Sequence, residues 1–315
     1  LVSAGLCTDC GKRKAFFFRP YSGEKLCRKC FSISIEKKVR ATLSQYEMLE
    51  YDDRIAVAVS GGKDSISLLH ILTKIESEYP GSSVVAITVD EGIKNYRDEA
   101  LRIAIRNCEE LSLRHVIVSF EELYGHSLDE IVKLLRRERE TRATSCAYCG
   151  VLRRKALNIA AREVEADKIA TAHTLDDETQ TILLNILHGS SWRLAKGKPV
   201  TDQVHPLLPQ RIKPFCRVPE RESSLYAYIK GIEFQGIPCP YASEAMRNDV
   251  RRFLNRMEEK HPGTKFTIYQ SMQKIRPGIK TSIGKEELNT CTRCGEPTSG
   301  EVCRACKMLQ QLFET

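Results

Sequence analysis

No stretch of the 315 residues is apolar over anything near the ~20 positions that a membrane helix needs, which excludes a helical membrane protein. A signal-peptide pattern is lacking too, so the thirteen cysteines are expected to be thiols of a cytosolic protein and not a disulfide framework. There is no Walker A loop. That motif sets four residues between its first glycine and Gly-Lys-Ser/Thr, whereas here Gly61 and Gly62 are adjacent and Asp64 separates Lys63 from Ser65. Finally, Cys146 and Cys149 lack a second C-x-x-C nearby, so they cannot complete a four-thiolate zinc site locally.

What the chain does have is VAVSGGKDS at residues 57–65, a run of small and apolar residues that opens into the helix-like stretch ISLLHILTKI. A strand that stops at two glycines before a helix start is a phosphate cradle, because unpaired N–H groups and the positive end of the helix dipole converge on one anion. Gly61 and Gly62 let the backbone approach that anion, Ser60 and Ser65 add hydroxyls, Lys63 adds charge, and Asp64 suits a magnesium ion or a proton transfer. The run resembles the pyrophosphate loop of the ATP pyrophosphatases, which split ATP between its α and β phosphates. The competing reading, an ordinary Gly-rich turn, does not account for five polar or glycine positions in this order.

The cysteines fall into groups. Cys7, Cys10, Cys27 and Cys30 form two C-x-x-C pairs separated by sixteen residues, and Cys291, Cys294, Cys303 and Cys306 form two separated by eight. Each quartet predicts a closed structural zinc knuckle. For Cys146 and Cys149 the candidate third ligands are Cys108, Cys216 and Cys239. Cys108 lies in the periodic EALRIAIRNCEEL, where a buried thiol is expected; Cys239 stands between two prolines that would hold a loop rigid. Three cysteines fit an iron–sulfur cluster with one open iron, or a redox pair with a helper thiol.

The net charge of +8 is clustered: Lys12, Arg13, Lys14, Arg19, Lys25, Arg28 and Lys29; Arg136, Arg137, Arg139 and Arg142; Arg153, Arg154 and Lys155; Arg247, Arg251, Arg252 and Arg256. Such patches are footprints of a phosphate-backbone partner, although each alone could be a solvated helix face. The length suits one main core with small appendages. The reading is an N-terminal knuckle over 1–31, a connector helix over 32–50, a catalytic α/β domain over 51–275 and a C-terminal knuckle over 286–315. Strand–helix alternation through RIAVAVS, a helix over 64–79, VVAITVD, HVIVSF, a charged helix over 127–142, KIATAH and LDDETQTILLNIL predicts a parallel sheet covered on both faces. Ile182, Leu183, Ile186 and Leu187 form the expected apolar face of the last helix. Ser60, Asp90 and His173 fall at strand ends, on the rim where ligands sit in such sheets. Asp176 and Asp177 suit a magnesium ion, or merely the helix dipole.

SGGKDS, VDEGIKNYR, CAYCGVLRR, TAHTLDDE, KPFCRVPERE and IPCPYASEAMR, in that order between two knuckles, resemble the tRNA 2-thiouridine synthetases over essentially the whole chain. The resemblance implies a Rossmann-like adenine nucleotide α-hydrolase core, ATP with Mg2+, two Zn2+, and a [4Fe-4S] cluster on Cys146, Cys149 and Cys239. It further implies ATP contacts from Ala58, Ser60, Gly61, Gly62, Lys63, Asp64 and Ser65, and from Val89, Ala172 and Asp177. Lys63 and Asp64 would be catalytic. The implied partners are tRNA, a second copy of the chain, and a sulfur donor, either a thiocarboxylated ubiquitin-like carrier protein or inorganic sulfide; the implied location is the cytoplasm. The chain departs from the family at Thr171-Ala172-His173-Thr174, where TGHN is common. Arg153 stands where the branch that thiolates the T-loop ribothymidine (position 54) has a functional lysine; Arg153 keeps the charge and is taken as catalytic here. With VDEGI and CGVLRR, it leans the reading to the branch acting on the wobble uridine (position 34). A non-thiolating ATP-dependent ligase would leave the three central cysteines without a purpose, and a zinc-dependent RNA-binding scaffold would waste Lys63, Asp64 and Asp177.

Overall fold

The computed structural model describes residues 5–137, 144–242, 246–281 and 288–313. A hairpin of β1 (Phe17–Arg19) and β2 (Glu24–Leu26) leads into α1 (Arg28–Gln45), β3 (Arg54–Ala58), α2 (Lys63–Glu76), β4 (Ser83–Asp90) and α3 (Tyr96–Glu110). Next come β5 (His115–Ser119), α4 (Phe120–Tyr124), α5 (Leu128–Leu135), α6 (Ser145–Glu163), β6 (Lys168–Ala170), α7 (Leu175–Leu187) and α8 (Ser191–Lys196). The chain ends with β7 (Gln210–Ile212), α9 (Glu220–Lys230), α10 (Arg247–Lys260), α11 (Thr264–Thr281), the pair β8 (Asn289–Thr290) and β9 (Pro297–Thr298), and α12 (Arg304–Phe313).

β3 is central in a five-stranded parallel sheet of order β5-β4-β3-β6-β7, its Val57 in register with Ala86 on one side and Ala170 on the other. Successive residues of a strand face opposite ways, so Ile55 and Val57 join one apolar core while Ala56 joins another. The first core takes in the N-terminal knuckle, α1 and α2; the second takes in α6, the C-terminal knuckle and α12. From β3 the chain runs outward through β4 and β5 on one side, then crosses back to lay β6 and β7 on the other, so the loop after β3 opens at a topological switch point, where a crevice forms.

The helix expected over 32–50 starts at Arg28, inside the first knuckle, because Cys27 is its N-cap and accepts from the Cys30 N–H. Phe31, Ile35 and Val39 are wholly buried along it, so it is a core helix and not merely a connector. The apolar face expected on α7 is a correction: Ile182 is buried, but Ile186 and Leu187 are each 55% exposed. α7 instead buries polar residues on two sides, Asp176 and Gln180 on one and Glu178 and Asn185 on the other, because partners wait there; Lys213, for one, reaches Glu178 at 2.8 Å. Within 127–142 the helix covers Leu128–Leu135, and Arg139 and Arg142 lie outside the described residues.

Glu222 on α9 ties the N-terminal knuckle to the sheet. Arg19 donates to both its oxygens at 3.0 Å, Lys38 donates at 3.1 Å and Tyr21 adds its hydroxyl, with Arg19 and Glu222 almost fully buried. Removing the carboxylate that a buried arginine and a partly buried lysine share costs about 3–5 kcal/mol. Glu222→Gln is therefore expected to lower the denaturant midpoint strongly at unchanged m-value; a loss below about 1 kcal/mol would show that apolar contact alone docks the knuckle.

Candidate active site

The loop after β3 folds as the glycines require. Gly61 has φ +85°, and a Cβ there would sit 2.5 Å from the Ala100 carbonyl oxygen, so no other residue fits. Ser65 Oγ donates to the Gly62 carbonyl at 2.9 Å and accepts from the Ser60 N–H at 3.0 Å, which curls the loop around the start of α2. Gly62 is the N-cap and supplies no side chain, so the first N–H groups of α2 are left for an anion. From the other side the Gly61 carbonyl accepts from the Gln235 N–H at 2.9 Å. The segment leading to Cys239 is thus pinned directly to the phosphate loop.

Lys63 and Asp64 turn toward α9. Lys63 Nζ sits 2.8 Å from Asp64 and 2.9 Å from Glu220, and Ser223 donates to the second Asp64 oxygen. Burial pushes the Asp64 carboxyl up, with Lys63 and Ser223 pulling against it. Burial works to discharge Lys63, yet its two carboxylates outweigh that and raise its pKa. The start of α9 is fixed by Asp176, which accepts from the Glu220 N–H at 2.7 Å and pairs with buried Lys265. Asp177 closes a capping box with Thr174, accepting from its N–H at 3.0 Å. Both aspartates of LDDE are therefore engaged inside the protein, and Ala172 and His173 occupy the rim, His173 bonded to Thr171 at 2.9 Å. Val89, at the end of β4, gives its carbonyl to Arg97 at 2.6 Å.

Cys146 and Cys149 lie one turn apart at the start of α6, whose N-cap Thr144 accepts from the Ala147 N–H. Cys146 is exposed, Cys149 buried and Cys239 half-buried. Cys239 and Tyr241 pack on the apolar core that holds Cys149; Cys146 Sγ is 3.6 Å from the Tyr241 carbonyl, and Tyr241 is anchored to Asp129 at 2.6 Å. Cys108 and Cys216 are buried in the core on the opposite face of the sheet. The topology brings Cys239 to the C-x-x-C and takes the other two away. Burial pushes the Cys149 thiol up to about 11, with Arg153 opposing.

The two terminal quartets fit a metal ion each. Their sulfurs lie within 4.8 Å of one another, and Cys294 and Cys303 stand 3.7 Å apart. A tetrahedron with ~2.3 Å metal–sulfur bonds has edges of about 3.8 Å. The N–H groups of Lys12 and Arg13 hold the Cys10 thiol down to about 6, as thiolate ligation needs. Cys146, Cys149 and Cys239 do not form a group at that spacing; three thiols on one side of the sheet are the donor set of an iron–sulfur cluster with one open iron. The C-terminal knuckle docks on α6 through Lys155, 3.9 Å from Cys306, and through Arg162, which grips Glu296 with both terminal nitrogens.

Sequence reading gave no role to Glu91, Arg97, Glu220 or Ser223. Glu91 lies between Arg97, at 2.8 Å, and Arg153, at 2.6 Å. One signal was available: Arg97 occupies the first turn of α3, where a cation opposes the helix dipole and so demands a partner. Nothing comparable marks Glu220 or Ser223, which reach the site only because α9 packs on α2.

A PP-loop domain model matches residues 32–258. The chain is 36% identical to the tRNA 2-thiolation protein NcsA of Haloferax volcanii, over 97% of this chain and 98% of the relative. It is also 36% identical to the cytoplasmic tRNA 2-thiolation protein 1 of Oryza sativa subsp. japonica, over 98% and 83%. Among solved structures, the U34-tRNA thiolase NcsA of Methanococcus maripaludis, which carries a [4Fe-4S] cluster, superposes with a TM-score of 0.84 at 32% identity, covering 98% of this chain and 97% of that one.

Proposed function

This chain belongs to the PP-loop tRNA 2-thiolation proteins, and from that premise we propose that it is the ATP-dependent sulfurtransferase that places sulfur on C2 of the wobble uridine, position 34. In the first step the uridine O2 attacks the α phosphorus of ATP, the bond to the β-phosphate oxygen breaks, and pyrophosphate leaves. In the second, sulfide sulfur attacks C2, the C2–O bond breaks, and AMP leaves. The free N–H groups of α2 and the Ser60 hydroxyl hold the phosphates, Ser65 keeps the loop curled around them, and Lys63 faces the charge that develops there. Asp64 and Glu220, on either side of Lys63, would hold the Mg2+ that accompanies ATP. Val89, Ala172 and Asp177 form the neighbouring rim, proposed for the adenosine. Cys146, Cys149 and Cys239 would hold a [4Fe-4S] cluster, which supplies a fourth iron open to exogenous sulfur. Both knuckles would hold Zn2+ and brace one half-site each.

The observation that carries this reading is the backbone bond from Gln235 to Gly61, which sets the Cys239 segment against the phosphate loop, so adenylation and sulfur delivery can occur at one carbon. Exposed Lys12, Arg13, Lys14, Arg28 and Lys29 on the first knuckle and Arg251, Arg252 and Arg256 on α10 would hold tRNA by its phosphates. Ile186 and Leu187, with Trp192 and Phe253 on helices that pack against α7 or its neighbour α8, leave apolar surface suited to a second copy of the chain. No helix among the described residues is long and apolar enough to cross a membrane, and the reaction is proposed for the cytoplasm, as the rice relative's name has it. Mass spectrometry of tRNA nucleosides from cells lacking the protein is expected to show 2-thiouridine lost at position 34. Loss at position 54 instead would assign the T-loop reaction, and an unchanged profile would overturn both.

A further inference from the structure

Glu91 is a carboxylate with 4% of its surface exposed, and it is shared by two arginines that look in different directions. Through Oε2 it holds Arg97 at 2.8 Å, and Arg97 donates onward to the Ser60 carbonyl at 2.9 Å and the Val89 carbonyl at 2.6 Å. Through Oε1 it holds Arg153 at 2.6 Å, and Arg153 donates to Cys149 Sγ at 2.9 Å. The backbone on both sides of it is fixed. Its carbonyl accepts from the Leu128 N–H at 2.7 Å, and a Cβ on Gly92, at φ +68°, would lie 2.6 Å from Ser127 Cβ. Two guanidinium groups on one carboxylate leave a net positive charge, which a polyphosphate on one side and a thiolate ligand on the other can each offset.

We propose that Glu91 is a positioning residue that joins the two half-sites: it aims Arg97 at the phosphate-loop carbonyls and Arg153 at the sulfur of Cys149. Glu91 is the carboxylate that pairs with both arginines. Arg97 is nearly buried, so an unpaired charge there would be costly, and Arg153 has a side chain 47% exposed, which leaves it free to swing into water. The inference rests on the reading above that Cys149 ligates a cluster. Under it, Arg153 supplies a hydrogen bond to a ligating sulfur, one of the levers by which a protein raises the reduction potential of such a cluster. Arg97, by fixing the Ser60 carbonyl, sets the geometry of the loop that grips phosphate.

The test uses the full chain, reconstituted anaerobically, with two readouts besides turnover: the midpoint potential of the cluster and the Kd for ATP. Arg153→Leu is expected to lower the potential and leave the Kd within about twofold, since it touches the cluster side alone. Glu91→Gln is expected to lower the potential as well and to weaken ATP about tenfold, because the ion pair that steadies Arg97 beside the phosphate loop is lost. An iron-replete wild type whose potential is unmoved in Arg153→Leu overturns this inference only; that variant is insulated from misfolding because its side chain is half-exposed. A Glu91→Gln protein that moves one readout and not the other overturns it too. A wild type that takes up no iron overturns the proposed function itself, and this inference with it.

Discussion

Cys239→Ser is expected to bleach the brown colour of anaerobically prepared protein and to lower tRNA thiolation by more than about a hundredfold, beyond the 10–100-fold typical of residues that only support a metal ligand. Cys146→Ser and Cys149→Ser should do the same. The reason is the arrangement of the loop: Cys239 lies against the core that holds Cys149, its segment is tied to Gly61 through Gln235, and Tyr241 is anchored on Asp129. The sulfur is thereby presented to α6. Because Cys239 is half-buried on a loop, a serine there leaves no core cavity, so the loss reads out ligation and not unfolding. Cys108→Ser and Cys216→Ser place a hydroxyl in the opposite core and are expected to cost stability while keeping the iron. Iron analysis, visible absorbance and thiolated-nucleoside yield on the five variants decide the matter. Full iron in Cys239→Ser, or its loss in Cys216→Ser, would identify the wrong thiol.

Asp64→Ala is expected to reduce ATP-dependent formation of AMP and pyrophosphate by about 10²–10³-fold or more, the range seen when one preorganised polar group is lost, with iron and zinc contents unchanged. Asp64 holds Lys63 from one side while Glu220 holds it from the other, and Ser223 fixes the carboxylate. Without Asp64 the ammonium is drawn toward Glu220 and away from the phosphates, and the magnesium site proposed there loses a ligand. Asp64→Asn, which keeps the shape and loses the charge, should be nearly as inactive if the charge is what matters. Turnover near the wild-type rate in either variant would remove that carboxylate from the chemistry.

Much of this was written in short-range patterns. SGGKDS between an apolar run and an amphipathic stretch specifies a strand, a turn that only glycine can make at Gly61, and a helix N-terminus; these are local constraints, and the structure has them at β3 and α2. The quartets of cysteines are local in the same sense, since a C-x-x-C knuckle sets two sulfurs on one metal by itself and a second knuckle closes the site. Parallel strands read as near-continuous apolar runs, which is why β4 and β5 were legible, whereas β7, a QRI edge segment of three residues, carried no such signal. Ile186 and Leu187 misled for the converse reason: periodicity reports that a helix has an apolar face and not what covers it.

By itself, then, the sequence determined the fold class, the phosphate loop, both metal knuckles and the chemistry they belong to, because each depends on residues close together in the chain or on strand–helix alternation. Only the tertiary structure decided which side chains meet across long separations. It put Glu220 and Ser223 of α9 on Lys63 and Asp64, made Asp176 and Asp177 helix anchors, and joined Cys149 to the phosphate loop through Arg153, Glu91 and Arg97. Ion pairs of that kind have no periodicity and no fixed spacing. They exist because packing strands and helices buries charged groups together at the rim of the sheet, and a buried charge is stable only where the fold delivers its partner.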